Sequence, residues 1–451
     1  MATDPPHRTA ADPDGFAAAV TYTARVVFPV AAPPLPHGTV TVQGGRIVAV
    51  EPRGTRTADV DLGNVALIPG LVNAHTHLDL SGARGRTPPT DAEHFTDWLR
   101  AVIAYRRGRT AEDVQADIRA GLAEALRYGT TLLGDIAADG ASWDAVAAAP
   151  VRAVVFHELI GLPLARAVIG IATARAWVGG REPTPLCRPG LSPHAPYSVN
   201  TRLHKEAVTL ARERRFPVAV HLSESPGELE LLRHRRGPLV EFLRRVGVWE
   251  PDGLAHEPEE WLVRRLRRAP DLYVHANYLT PTRRLPRSAT VVYCPRTHAA
   301  FGHPPHPVRD FLARGVRVCL GTDSLASNPD LDPLAEARFL RARRPDLPPD
   351  TILRMVTLAG AEALGWADET GSLEAGKSAD AVTVPLPDRD AADPHDLLLT
   401  DHPAERRTLF RGAWRTDGEP GASAPGFLSP EGDSPEPETG GRRPRLAGRN
   451  P

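Results

Sequence analysis

Apolar residues along this chain follow two rhythms. Between Tyr22 and Leu67, short runs rich in Val, Ile and Thr (TARVVF, GTVTVQGG, RIVAVEP, NVALIPG) alternate with polar residues and Gly-bounded turns. That is the pattern of a small antiparallel sheet. From residue 71 the rhythm changes. Apolar runs now occur at LVNAH (71–75), TTLLGDI (130–136), RAVVFHEL (152–159), RPGLSPHA (188–195), PVAVHLSE (217–224), DLYVHAN (271–277), ATVVYCP (289–295) and VRVCLGTD (316–323). Amphipathic stretches such as HFTDWLRAVIAYRR, AEDVQADIRAGLAEALRYG and TRLHKEAVTLARER separate most of them. A strand followed by a helix, repeated eight times, predicts an α/β fold closed as a (β/α)8 TIM barrel. Short β runs return near Gly371, in GSLEAGKSADAVTV and RRTLFRGAW, and read as strands completing the first sheet. The expected organisation is a tail at 1–15, a small β-sandwich domain composed of 16–68 and 370–415, a barrel over 69–369, and a second tail at 416–451. The tails are polar and rich in Pro, and the second also in Gly, a composition that predicts disorder.

Composition narrows the function classes. The chain is 41% hydrophobic and 24% charged, with a formal net charge of -1, as expected of a soluble globular protein. No basic field points to nucleic acid, and no apolar run reaches the roughly 20 residues needed to span a bilayer. The expected partner is a small-molecule substrate, and a homo-oligomer is compatible with the sequence. Three scattered cysteines, Cys187, Cys294 and Cys319, read as small buried hydrophobes in a cytoplasmic protein.

In a parallel barrel the chemistry gathers where strands end and loops begin. Run one ends in His75-Thr76-His77, and residues i and i+2 of a strand point to the same side. Run five ends in His221, with Glu224 three residues on, and run eight ends in Asp323. Three imidazoles and a carboxylate suit one divalent ion, zinc in the first instance and iron as a compatible second. Such a set leaves a position for water, the mark of a catalytic rather than a structural site. Run six supplies His275, read as a contact to that water or as an ordinary strand-end histidine. Run four supplies His194, read as a substrate contact or as structural. A second metal would need a bridging lysine near the end of strand four. The chain has only Lys205 and Lys377, and Lys205 falls inside the next helical stretch, so one ion is expected. After run seven, Arg296, His298, His303 and His306 offer donors for an anionic or phenolic group of a substrate, or form a solvated basic loop.

The segments PGLVNAHTHLDLS, LSPHAPYSV, VAVHLSES, VHANYL and LGTDSLAS resemble the amidohydrolase superfamily, specifically its mononuclear deaminase branch, over residues 20–415. The resemblance implies that His75, His77, His221 and Asp323 hold the metal and that Glu224 shuttles protons. It further implies that His275 lies against the hydrolytic water and that His194 touches substrate. The FTDWL run, with Trp98, is similar to the aromatic segment of deaminases of 5'-modified adenosines such as S-adenosylhomocysteine, methylthioadenosine and aminodeoxyfutalosine. In the S-adenosylhomocysteine enzymes a glutamate one helix further on holds the ribose; counting from Trp98, Arg107 stands there. Their Asn-Pro-x-Ser-Asn motif is replaced by Cys294-Pro295-Arg296-Thr297-His298, and CPRTH…FGHPPHP resembles the aminodeoxyfutalosine enzymes. The implied reaction is attack of metal-held hydroxide on the ring carbon bearing an amino group. The alternatives are a guanine-type deaminase, a triazine-type chlorohydrolase on the same scaffold, and a non-catalytic barrel acting as an interaction protein.

Overall fold

The computed structural model describes residues 18–89, 91–255, 271–279, 285, 289–400 and 405–415. Both expected tails, 1–15 and 416–451, lie outside the described residues. Eight parallel strands follow one another around the sheet in chain order. They are β1 (Leu71–Thr76), β2 (Thr130–Ala138), β3 (Arg152–Leu159), β4 (Cys187–Pro193), β5 (Val218–Leu222), β6 (Asp271–His275), β7 (Thr290–Tyr293) and β8 (Arg317–Leu320). Each coincides with one of the apolar runs.

These runs are continuous rather than alternating because both faces of a parallel strand are covered. Val72, Ala74, Leu132, Ile136, Val154, Phe156, Ala219, Leu272, Val274, Val292 and Cys319 fill the barrel interior. Their odd-and-even partners, among them Leu71, Leu133, Val155, Val220, Tyr273 and Val318, face the outer layer. A parallel bridge between Thr76 and Asp323 brings the last strand back to the first. Thr322 and Asp323 N–H groups both donate to the His75 carbonyl at 3.0 Å. Gly321 permits this approach, since a Cβ there would stand 2.7 Å from the His75 Cβ and 2.9 Å from its backbone N and O.

The helix α1 (Phe95–Arg107) buries Phe95, Trp98 and Val102 at helical spacing. The periodicity does not announce α2 (Leu164–Gly179), because its apolar residues do not gather on one face. Leu164, Val168 and Ile169 are exposed.

Outside the barrel stand two further sheets. One orders the strands Arg46–Glu51, Thr39–Gln43, Val20–Thr23 and Val60–Asp61. The other orders Ala413–Trp414, Arg407–Phe410, Ala381–Pro385, Val65–Pro69, Val26–Val27 and Leu35–Pro36. Tyr22, Val40, Ile47, Leu67, Ala381 and Leu409 share their core. A buried Arg152–Asp380 ion pair ties the second sheet to β3. No helix among the described residues is long and apolar enough to cross a membrane.

Candidate metal centre at the mouth of the barrel

Strict alternation after Val72 and Ala74 would turn His75 away from the interior. The pairing of β1 with β2 shifts register between Asn73 and Thr76, and such an irregularity re-aims the side chains that follow it. Asn73 fastens the shifted segment. Its Nδ2 donates to Thr322 Oγ1 at 2.8 Å and its Oδ1 accepts from the Thr322 N–H at 3.1 Å. Just beyond His77, the Leu78 N–H donates to Asp135 Oδ1 at 2.9 Å.

The ligand atoms of His75, His77 and His221 lie within 4.8 Å of one another, as do those of His75, His275 and Asp323. Asp323 Oδ1 stands 3.5 Å from His75 Nε2 and 3.7 Å from His77 Nε2. Ligands about 2.0–2.1 Å from a tetrahedral ion stand roughly 3.4 Å apart, so these spacings fit zinc. His75 Nε2, which faces Asp323 Oδ1, is buried without a hydrogen-bond partner, a cost that an ion would remove. His221 Nδ1 donates to the His194 carbonyl at 3.1 Å, which leaves its Nε2 lone pair for a metal. Ser327 donates to Asp323 Oδ2 at 2.8 Å, leaving Oδ1 toward the imidazoles. Burial, followed by the crowding of neighbouring imidazoles, holds His77, His221 and His275 well below the usual imidazole value. They are therefore neutral, the form that binds metal.

Glu224 follows a left-handed turn at Ser223 (φ 52°). The Glu228 carboxylate accepts from the Ser223 and Glu224 N–H groups at 3.0 Å each and fixes that turn. Glu224 Oε1 lies 3.4 Å from His275 Nε2. Burial, with the charges of Asp323 and Glu228, raises its carboxyl well above the ordinary range. His275 is itself left-handed (φ 67°), and its carbonyl accepts from His306 Nε2 at 2.9 Å.

His194 sits with its ring 4.7 Å from that of His221 and its Nδ1 2.7 Å from Ser198 Oγ. The Trp98 indole donates to the Ala326 carbonyl at 3.1 Å and packs on Phe95 and Phe301. His298 is buried with Nε2 unpartnered.

Two expectations need correction. Arg296 is not a free donor, because all three of its guanidinium nitrogens are engaged. Nε donates to Glu336 (2.6 Å), Nη1 to Asp330 (3.0 Å) and Nη2 to Asp330 (2.6 Å). Arg107 is exposed on α1, while its neighbour Arg106 turns inward. Arg106 pairs with Asp79 at 3.0 Å and with Glu158 at 2.9 Å. Burial pushes Asp79 up to about 6 and Asp135 to about 7. Sequence reasoning missed this group. Two signals pointed to it: the buried stripe Trp98–Val102 reaches Arg106 four residues later, and run three ends in His157-Glu158 as the other runs end in polar groups.

Comparison with known proteins gives a consistent picture. The family model described as the amidohydrolase family matches residues 66–412. A 5-methylthioadenosine/S-adenosylhomocysteine deaminase of Syntrophobacter fumaroxidans is 32% identical over 369 residues, covering 77% of this chain and 80% of that protein. The crystal structure of Helicobacter pylori aminofutalosine deaminase with methylthio-coformycin superposes with a TM-score of 0.77 at 22% identity, covering 88% of this chain and 100% of that one. A Xanthomonas campestris adenosine deaminase with bound zinc gives a TM-score of 0.71 at 27% identity, covering 88% and 92%.

Proposed function

The chain belongs to the amidohydrolase family, and on that premise we propose that it hydrolyses a carbon–nitrogen bond by deaminating a 5'-modified adenosine. The observation that carries this is the convergence of His75, His77, His221 and Asp323 beside a buried carboxyl, Glu224, in contact with His275. The name of the Syntrophobacter fumaroxidans relative supports an adenosine-type substrate. The CPRTH…FGHPPHP segment favours the aminodeoxyfutalosine type.

In this reading the four residues hold one zinc ion. Lys205 is exposed on its helix and offers no bridge to a second. When bound, the ion makes hydroxide available at neutral pH. Glu224, kept protonated by burial, gives its proton to the ring nitrogen beside the carbon under attack, so the ring electrons have somewhere to go. Asp323 takes the proton that water releases. His275 offers an N–H to the developing oxygen charge. A C–O bond forms and the C–N bond breaks. The amino group leaves as ammonia with the proton taken by Asp323, and the new hydroxyl returns its proton to Glu224. His194, Trp98 and His298 contact the substrate.

The test is ammonia release by zinc-loaded protein on adenosine, methylthioadenosine, S-adenosylhomocysteine, aminodeoxyfutalosine, guanine and cytosine, with metal counted per chain. Turnover of a 5'-modified adenosine, lost on chelation and restored by zinc, is expected. Silence on every adenosine, with ammonia released from guanine or cytosine, overturns the proposal.

A further inference from the structure

Beyond β7 three histidine rings lie side by side. His298, on the short helix Pro295–Ala300, has its ring centroid 5.7 Å from that of His306 and 5.2 Å from that of His303. The group is fastened to the metal centre at two points. His306 Nε2 donates to the His275 carbonyl at 2.9 Å. Thr297, next to His298, shares a 3.2 Å hydrogen bond with Ser327, which donates to Asp323 at 2.8 Å. On the far side, His303 meets Phe301 at 5.8 Å between centroids, and Phe301 packs on Trp98 at 5.2 Å. The histidines therefore link His275 to the aromatic residues of α1.

Nε2 of His298 and Nε2 of His303 are both buried with no hydrogen-bond partner among the described residues, a state few buried polar groups keep. Their hydrogens can be placed. His298 bonds to the backbone of Pro304, which has only a carbonyl to offer. With Nε2 unpartnered, Nδ1 is the donor there, and Nε2 carries a lone pair. His303 Nδ1 lies 2.9 Å from the Tyr278 hydroxyl. Burial keeps the proton on that hydroxyl. With this proton given to Nδ1, the ring hydrogen of His303 stands on Nε2. One free nitrogen thus accepts and the other donates. Burial holds both rings down to about 4, so neither is a cation at neutral pH, and an anion would meet a lone pair on His298. A hydroxyl suits the pair, because its O–H can donate to His298 while its oxygen accepts from His303.

Resting on the deaminase reading above, we propose that His298 and His303 form a specificity site for a hydroxyl of the substrate's sugar. The sugar of a 5'-modified adenosine keeps its hydroxyls on C2' and C3', and these are the hydroxyls that every member of the class shares. Gripped by one of them, the sugar fixes the base against Glu224 and His275. The pair does not bind a carboxylate, and the identity of the 5'-substituent does not alter its use.

The experiment measures kcat/KM of the full-length, zinc-loaded enzyme on methylthioadenosine, S-adenosylhomocysteine and aminodeoxyfutalosine. The fastest of the three is then compared with its 2'-deoxy and 3'-deoxy analogues. The wild type is expected to lose about tenfold on at least one analogue, the worth of a hydrogen bond whose buried partners are left unpaired. His298→Phe and His303→Ala should lose about as much on the parent nucleoside. On the analogue lacking the bound hydroxyl they should stay within about twofold of the wild type. His298→Gln, which keeps an acceptor, should recover part of the loss. The wild-type comparison needs no variant to fold. A wild type indifferent to both hydroxyls overturns the proposal, as do variants that lose equally on all three forms of the substrate. Variants that raise KM for the two acid-tailed nucleosides and leave methylthioadenosine untouched also overturn it, in favour of an anion site. Each of these outcomes leaves the deaminase reading standing. A wild type that deaminates none of the three parent nucleosides overturns both.

Discussion

Two buried clusters of charged and polar side chains lie past the C-terminal ends of the barrel strands, and they are finished differently. The cluster after β1, β5 and β8 gathers His75, His77, His221 and Asp323 and leaves imidazole nitrogens with no partner. The cluster after β7 gathers Arg296, Asp330 and Glu336 and uses every guanidinium nitrogen. Most buried polar groups in a fold are hydrogen-bonded, so several unsatisfied imidazole nitrogens gathered in one place mark a site that something else completes. A saturated cluster holds loops together; an open one is prepared for a ligand. Residue type alone does not separate the two, and hydrogen-bond completeness does.

The largest expected effect lies at the open cluster. Glu224→Gln keeps the shape and leaves the four proposed metal ligands intact, but removes the proton that the ring nitrogen needs. A loss in kcat of about 10²–10⁴-fold is expected, with zinc content unchanged by elemental analysis. A variant that keeps its turnover would erase the distinction drawn for this carboxyl.

Arg296→Ala probes the closed cluster and should behave in the opposite way. It strips a buried pair of its cation, at a cost of about 3 kcal/mol, with KM on the best substrate unchanged. The sign of its pH dependence follows from Glu336, whose carboxyl burial already holds above the usual range against the pull of Arg296. Without Arg296 that value rises further. A carboxyl whose folded value exceeds its unfolded one favours the folded state when protonated, and that advantage fades as pH rises through the folded value. Urea denaturation should therefore show a larger deficit at pH 8 than at pH 5. A raised KM with intact stability would move Arg296 into the open cluster.

His306 sharpens the comparison at the smallest scale. It stacks on Tyr293 with ring centroids 3.9 Å apart and donates to the carbonyl of the left-handed His275. Holding a non-glycine residue there costs of order 1–3 kcal/mol. His306→Phe preserves the stack and loses the donor. A fall in kcat of about tenfold, with KM and zinc content unchanged, is expected from a small misplacement of His275. His306→Gln, which can still donate, should lie closer to wild type. Equal losses in both variants would count against the positioning role.

The eight strands were legible in the chain because strands buried on both faces must be continuously apolar, and the polar residue that ends each run marks the mouth. His75, His77, His221 and Asp323 were legible as a group for that reason, as was Glu224 by its spacing from His221. What escaped was everything decided between elements. Periodicity places Arg106 and Arg107 one step apart on α1, but only the packing of that helix against the strand ends sends Arg106 to Asp79 and Glu158 and leaves Arg107 in water. Nothing local to CPRTH tells that Arg296 is saturated, because Asp330 and Glu336 arrive from the segment beyond β8.

Apolar rhythm and strand-end chemistry are properties of short stretches, so the sequence by itself determined the barrel, its mouth and the residues able to meet there. Which cations are spent and which nitrogens stay open depend on contacts between residues 40 to 249 positions apart. The pairing of Asn73 with Thr322 exists only once closure of the barrel has brought β8 against β1, the others only once helix and loop pack on the strand ends, and only the tertiary structure decided them.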